Sequence, residues 1–306
     1  MNLSGIPPLP AGCDTEPDNI VRGVMPADAR IGRLAIRSLY REVALAPKPG
    51  LVTPFANGSH GDMDFATFLR SLAALRDYFP AITRCGRQQP AFVALQQLGI
   101  SAEAAMLAAT GGINTHRGAI FNLGLLCAAL GSLSAEGGPI TAEALCRRVE
   151  KQWGADILAS AAHLPAGAAA SHGLLVARRY GSGGARVEAA TGFPAAREVG
   201  LPAYRAALAS TGDSERAAVQ ALFALIAELD DTNLLWRGGP AGLACGRRLA
   251  AGFLAAGGVQ ADDWEARAAA VDREFVARHL SPGGSADLLG VTLFLAEFDA
   301  AEPLCA

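Results

Sequence analysis

The sequence predicts an all-α fold, a single large multi-helix domain of about a dozen helices, on three observations. Ala and Leu dominate while β-branched and aromatic residues are sparse, a bias toward helix over strand. Apolar residues recur at helical spacing along most of the chain, and no segment sustains the period-2 alternation of a half-buried strand. The 306 residues are 51% hydrophobic and 18% charged, enough apolar surface to bury a substantial core.

Each element follows in order. Residues 1–25 are aperiodic and rich in Pro and Gly, which predicts a mobile N-terminal arm ahead of one all-α domain over 26–306. Ile31, Leu34, Ala35, Leu39 and Val43 share one helical face, and Pro47 with Pro49 ends that run. "LVTPFANGSHGDMD" (51–64) is a loop by composition. "FATFLRSLAALRDYF" resumes a helix that Pro80 stops. Helices are then expected at 90–98, 101–109, 115–130, 141–160, 171–180, 184–190 and 201–209. Four more follow at about 214–229, 240–256, 261–279 and 285–298. No internal repeat interrupts the series.

Composition narrows the function. A formal charge of −3 gives no global basic field for nucleic acid or anionic lipid. The six cysteines are scattered singly without a CxxC pair, as expected of reduced thiols in a cytoplasmic protein. The N-terminus lacks the basic and apolar regions of a signal peptide. The longest apolar stretch, Ala119 to Leu133, is too short to span a membrane and is broken by Asn122 and several glycines.

Chemistry is expected in five polar islands between the helices: 47–64, 110–118, 180–194, 230–239 and 279–290. Each mixes glycine, which admits close backbone approach to a ligand, with Asp, Asn, His, Lys or Arg. Acidic and amide oxygens suit Mg2+, and Lys and Arg suit phosphate. His116 and Arg117 begin an apolar helix, where cations oppose the backbone dipole; a polyphosphate at that N-terminus would relieve them. The alternative is that both side chains reach solvent. Asp62 and Asp64 either share an ion or cap the next helix. Asp230, Asp231 and Asn233 read as a helix C-terminal turn, where two carboxylates need a cation. Lys48 lies between prolines and Arg237 precedes two glycines, either as anion contacts or as loop charges. Arg186 and Glu188 could be a weak surface pair, Ser285 and Asp287 ordinary caps, and His172 either a ligand or a structural residue. No GxxxxGK[ST], GxGxxG, HExxH or GxSxG motif is present.

In chain order, "APKPGLVTP", "NGSHGDMD", "ATGGINTHRGAIFNLGLL", "RRYGSGGARVEAATGFP", "DDTNLLWRGG" and "LSPGGSADLLGVTLFL" resemble the triphosphoribosyl-dephospho-CoA synthases over about residues 31–298. The resemblance implies an all-α enzyme that joins ATP to 3'-dephospho-CoA and expels adenine. Its product is the prosthetic-group precursor of an acyl carrier protein. "NTHRGAIFNLGLLCAA" and "TNLLWRGG" are closer to the branch serving malonate decarboxylase than to that serving citrate lyase. The implied reaction needs a carboxylate base, a donor for departing adenine and a charge clamp with Mg2+. Candidate catalytic residues are Asp62, Asp64, His116 and Asp231, with Asp62, Asp230 and Asp231 as metal ligands. Candidate substrate contacts are Lys48, Asn114, Thr115, Arg117, His172, Arg186, Glu188, Asn233, Arg237 and Ser285. Further partners would be a downstream transferase or the carrier protein, and a second copy in a homodimer. Competing readings are an Mg2+-dependent N-glycoside hydrolase of ADP-ribose-like substrates and a non-catalytic binder of a carrier protein.

Overall fold

The computed structural model describes residues 27–137, 139–162 and 172–300, and among them every regular element is helical. The predicted arm at 1–25 lies outside these residues.

Helix α1 (Ala27–Ala44) buries the stripe foreseen from its spacing, Ile31 to Val43. Ser38 and Glu42 lie on the same buried side, an acid facing inward from an otherwise apolar stripe. The helix expected up to Pro80 is two: α2 (Phe65–Ala74) stops early and α3 (Tyr78–Gly86) begins just before Pro80. Proline does not end α3 because it sits in the first turn, where no intrahelical N–H is needed. The two expected helices over 90–109 are one, α4 (Phe92–Ala109), running through Gly99.

Helix α5 (Arg117–Glu136) runs through the core, with an unbroken buried run from Leu123 to Ser132. Helix α3 crosses it at glycines: a side chain on Gly86 would overlap the Ala128 backbone, and one on Gly131 the Thr83 carbonyl. By length and apolar composition α4 and α5 could each cross a membrane, which the sequence reading of Ala119–Leu133 did not anticipate. The difference arises because both run longer than the uninterrupted apolar stretch. In α5, 72% of the apolar window is buried inside the protein, so that helix is a core element.

The chain continues through α6 (Ala142–Ala162), α7 (His172–Tyr180), α8 (Gly184–Ala190) and a π-helical turn Ala195–Gly200. Then come α9 (Leu201–Thr211), α10 (Ser214–Glu228) and α11 (Thr232–Ala255). A 3-10 turn, Gly258–Gln260, leads into α12 (Trp264–Ala277) and α13 (Gly283–Ala300). Helix α11 was expected only from 240; its earlier turns are also helical, and Gly239 (φ 59°) breaks the ladder before Pro240. Helices α10 and α13 pack together, and α13 also lies against α1, α5 and the π turn. This packing brings the N-termini of α5, α11 and α13 to one cavity.

Candidate active site

The cavity has a volume of about 1540 Å3, above the ~300–1,000 Å3 usual for one small ligand. Every polar island contributes to its wall. Lys48, Asp62, Asn114, Thr115, His116, Arg117, Arg186, Glu188, Asp230, Asn233 and Arg237 all line it.

Unsatisfied polar atoms concentrate where α5 begins. Thr115 Oγ1, His116 Nε2, Arg117 Nε and both amide atoms of Asn122 are buried with no hydrogen-bond partner. All four residues line the cavity. Each such group costs roughly 1–3 kcal/mol if nothing completes it. Their clustering marks the surface that a ligand would satisfy.

His116 sits at this point as the residue preceding α5 and is 2% exposed. Its Nδ1 lies 2.6 Å from Ser71 Oγ, and its ring meets Phe68 edge-on at 5.1 Å. Among the described residues the Ser71 hydroxyl has no other acceptor, so it is assigned as donor to Nδ1, which leaves the proton on Nε2. Burial, and then the charge of Lys48, push the His116 pKa down to about 3. The ring is therefore a neutral Nε2–H donor at neutral pH.

The α5 N-terminus already holds a carboxyl group of the chain itself. Asp287, from α13, accepts a hydrogen bond from the Ala119 N–H. Its carboxylate lies so close to Gly118 that a side chain there would overlap Oδ2 and come within 2.7 Å of Cγ. Burial, then Glu42, then Asp231 raise the Asp287 pKa well above the carboxylate range. Behind it, buried Lys48 donates to the Glu42 carbonyl at 2.7 Å and to Glu42 Oε1 at 2.8 Å. Burial lowers the Lys48 pKa and the Glu42 charge opposes that shift.

At another wall, Arg237 donates to the Ser59 and His279 carbonyls and to His60 Nδ1 at 3.1 Å. Because arginine only donates, His60 carries its proton on Nε2 and donates to Ser281 Oγ at 2.9 Å. Burial and Arg237 bring the His60 pKa to about 4, with Asp62 opposing. Arg186 donates to Ser160 Oγ at 3.0 Å and makes no ion pair among the described residues.

A family model for ATP:dephospho-CoA triphosphoribosyl transferase matches residues 28–305. The chain belongs to that family. It is similar to a "Probable 2-(5''-triphosphoribosyl)-3'-dephosphocoenzyme-A synthase" of Acinetobacter calcoaceticus, 46% identical over 87% of this chain and 90% of the relative. A Klebsiella pneumoniae synthase of the same name, without "Probable", is 42% identical over 92% and 95%. An Albidiferax ferrireducens relative is 41% identical over 88% and 90%. No solved structure matches. The protein is thus a triphosphoribosyl-dephospho-CoA synthase, a transferase whose substrates are ATP and dephospho-CoA.

Within this synthase several residues stand elsewhere than the sequence suggested. Asp64 is the N-cap of α2, in a capping box with Thr67, and does not line the cavity. Asp231 is not at a helix C-terminus. Three residues link α10 to α11, and the last of them, Asp231, is the α11 N-cap. Fully buried, it accepts from the Asn233 and Leu234 N–H groups and from both the N–H and the hydroxyl of Ser285. These four donors supply the compensation that had been assigned to a cation, so neither Asp231 nor Ser285 is free to hold a ligand. Asp230 is exposed and pairs with Arg247 at 3.0 Å. His116 is not cationic, and Arg117 is already paired with Glu103. Arg186 and Glu188 do not pair; Glu188 Oε2 accepts from the Ala195 N–H at 3.2 Å. The side chain of His172, first in α7, lies outside the described residues.

No three His, Cys, Asp or Glu groups converge to hold a metal ion among the described residues. Glu42 and Asp287 also line the cavity, and neither was a candidate site residue in the sequence reading.

Two outcomes follow. Asp231→Ala should lower unfolding free energy by about 2–4 kcal/mol in urea titration, since it orphans buried donors at two helix starts. An unchanged midpoint would refute the structural role. His116 has a folded pKa below its unfolded value near ~6.5, so its stabilisation is present above pH 6.5 and lost as pH falls. Linkage puts that loss at about 2 kcal/mol between pH 7 and 5. His116→Gln should flatten the pH dependence of stability by that amount relative to the parent; an identical slope would mean that His116 is charged in the folded state.

Proposed function

We propose that ATP and 3'-dephospho-CoA lie together in this cavity, with their polar groups completing the unsatisfied atoms at the start of α5. The observation that carries the proposal is that clustering of buried, unpartnered groups in a space large enough for two nucleotides. Asn122 presents a donor and an acceptor side by side, the pattern that pairs with an adenine edge. The neutral His116 Nε2–H donates to the departing adenine, easing the charge that develops as its glycosidic bond breaks. Arg186, half-buried and without a carboxylate partner, and Arg237 hold the triphosphate. Lys48, Asn114, Thr115, Arg117, Glu188 and Asn233 complete the binding wall.

Eight carboxylates but only four Lys or Arg residues line the cavity. A bare triphosphate entering it would be repelled, which favours ATP arriving with Mg2+, a cation that shares itself between phosphates and one or two carboxylates. Asp62, exposed at the wall, would give such a contact. Because the triphosphate is retained, phosphates serve here as handles and the chemistry occurs at the ribose C1', through an oxocarbenium-like state. The product is assigned to the malonate decarboxylase carrier protein, on the wording of "NTHRGAIFNLGLLCAA" and "TNLLWRGG". The setting is cytoplasmic, and a downstream transferase takes the product onward.

The test is adenine release from ATP, followed by chromatography with and without dephospho-CoA. Release should require the acceptor and Mg2+ and should liberate neither phosphate nor pyrophosphate; acceptor-independent release would make the protein a hydrolase. Arg186→Ala should raise KM for ATP by about ten- to a hundredfold, the loss of one charge-assisted hydrogen bond of roughly 1.5–3 kcal/mol. An unchanged KM would remove Arg186 from the triphosphate site. Restored growth on malonate in a host lacking its own synthase would support the malonate decarboxylase assignment, and restoration of citrate fermentation alone would overturn it.

A further inference from the structure

We propose that the Asp287 carboxylate takes the proton from the attacking 2'-hydroxyl of dephospho-CoA. The proposal rests on the transfer reaction above. Its first support is the state of the other acids. Among the cavity carboxylates Asp62, Glu198, Glu228 and Asp230 are exposed to solvent. Glu42 and Glu103 are each bonded to a cation. Glu188 shares a seven-residue helix with Arg186, on the side assigned to the triphosphate, where a base would face phosphate charge. Asp287 alone is partly buried in the wall, unpaired with any cation, and adjacent to the unsatisfied atoms at the start of α5.

The second support is how firmly the group is held. Its backbone belongs to α13, and the carboxylate rests against Gly118 and accepts the Ala119 N–H. A side chain at 118 would push it aside, so the glycine keeps the carboxylate in one place. Gly118 does not adopt a left-handed φ, which leaves this close approach as its evident requirement. A base must reach its proton to within ~2.6–3.2 Å, and a fixed carboxylate on a cavity wall is suited to that.

The charged groups around Asp287 are Glu42 from α1, Lys48 from the following loop and Asp231 at the α11 N-terminus, with the neutral His116 nearby. Burial, and then both like-charged neighbours, make Asp287 a stronger proton acceptor than an isolated carboxylate. In the step, the O2'–H proton passes to an Asp287 oxygen and O2' bonds to C1' of the ATP ribose. The C1'–N9 bond breaks with its electron pair going to adenine. Adenine gains one proton from water, and Asp287 returns one to water, so the carboxylate ends as it began.

The experiment compares Asp287→Asn, Gly118→Ala and Glu188→Gln with the parent, using adenine release, calorimetric binding of ATP and of dephospho-CoA, and the pH profile of kcat. Asn can still accept the Ala119 N–H, so the fold should survive. Asp287→Asn should lower kcat at least a hundredfold with both affinities within threefold of the parent, and should abolish the acid limb of the profile. Gly118→Ala keeps the carboxylate but moves it, and should lower kcat at least tenfold with binding intact; this variant decides the matter if Asp287→Asn does not fold. Retained kcat in the variant that folds, or loss of the acid limb in Glu188→Gln instead, overturns the proposal. Dephospho-CoA-dependent adenine release by the parent, run alongside, separates this failure from a failure of the reaction itself.

Discussion

A buried and a partly buried carboxylate tie three helix N-termini together, and the rest of the structure depends on that chain. Asp231 caps α11 and at the same time receives the Ser285 N–H and hydroxyl from the first turn of α13. Two positions beyond Ser285, on that same turn of α13, Asp287 reaches the first turn of α5. Each helix start carries orphan N–H groups and the positive end of a dipole. Converging three of them would be unfavourable without anions, and the chain supplies its own. The cavity is thereby built from helix ends rather than loops alone, which holds its wall more rigidly.

That arrangement sets the electrostatics of the site. After burial, the neighbouring Glu42 charge raises the Asp287 pKa, and Lys48 is the cation bonded to Glu42. The same ammonium helps keep His116 neutral. A neutral imidazole beside a strongly basic carboxylate is a pairing of one donor with one acceptor, and the segment 115–122 adds unpartnered groups next to both. A structure selected only for stability would have satisfied those groups or replaced them with apolar ones, since each costs free energy until a ligand arrives.

How much of this was legible in the sequence differs by level. Helical content, the α1 stripe and the polar character of the cavity-facing segments follow from short-range spacing, and these hold in the structure. Element boundaries were less readable. Pro80 looks like a terminator unless its place in a first turn is known, and Gly99 looks like a break although α4 continues through it. Asp230 and Asp231 lie two and three residues beyond α10, with the N-cap of α11 falling on the second of them; a link that short makes a C-terminal turn and an N-cap look alike. His116 and Arg117 look cationic in sequence because burial and the Glu103 partner are tertiary facts.

The case of Asp287 shows why a capping residue and a functional one need not be alternatives. Its sequence position suggests a cap, and it does cap a helix, though α5 rather than its own α13. A single N–H accepted from Ala119 uses little of a carboxylate's capacity, which extends to about four lone-pair sites. The bond fixes the direction of the group, while the neighbouring negative charges raise its affinity for a proton. A more complete cap would have neutralised that effect: Asp231, with four donors, is saturated and points at no cavity. The difference between these two aspartates, one fully satisfied and one held by a single backbone bond at the cavity wall, is what separates a structural carboxylate from one able to move a proton.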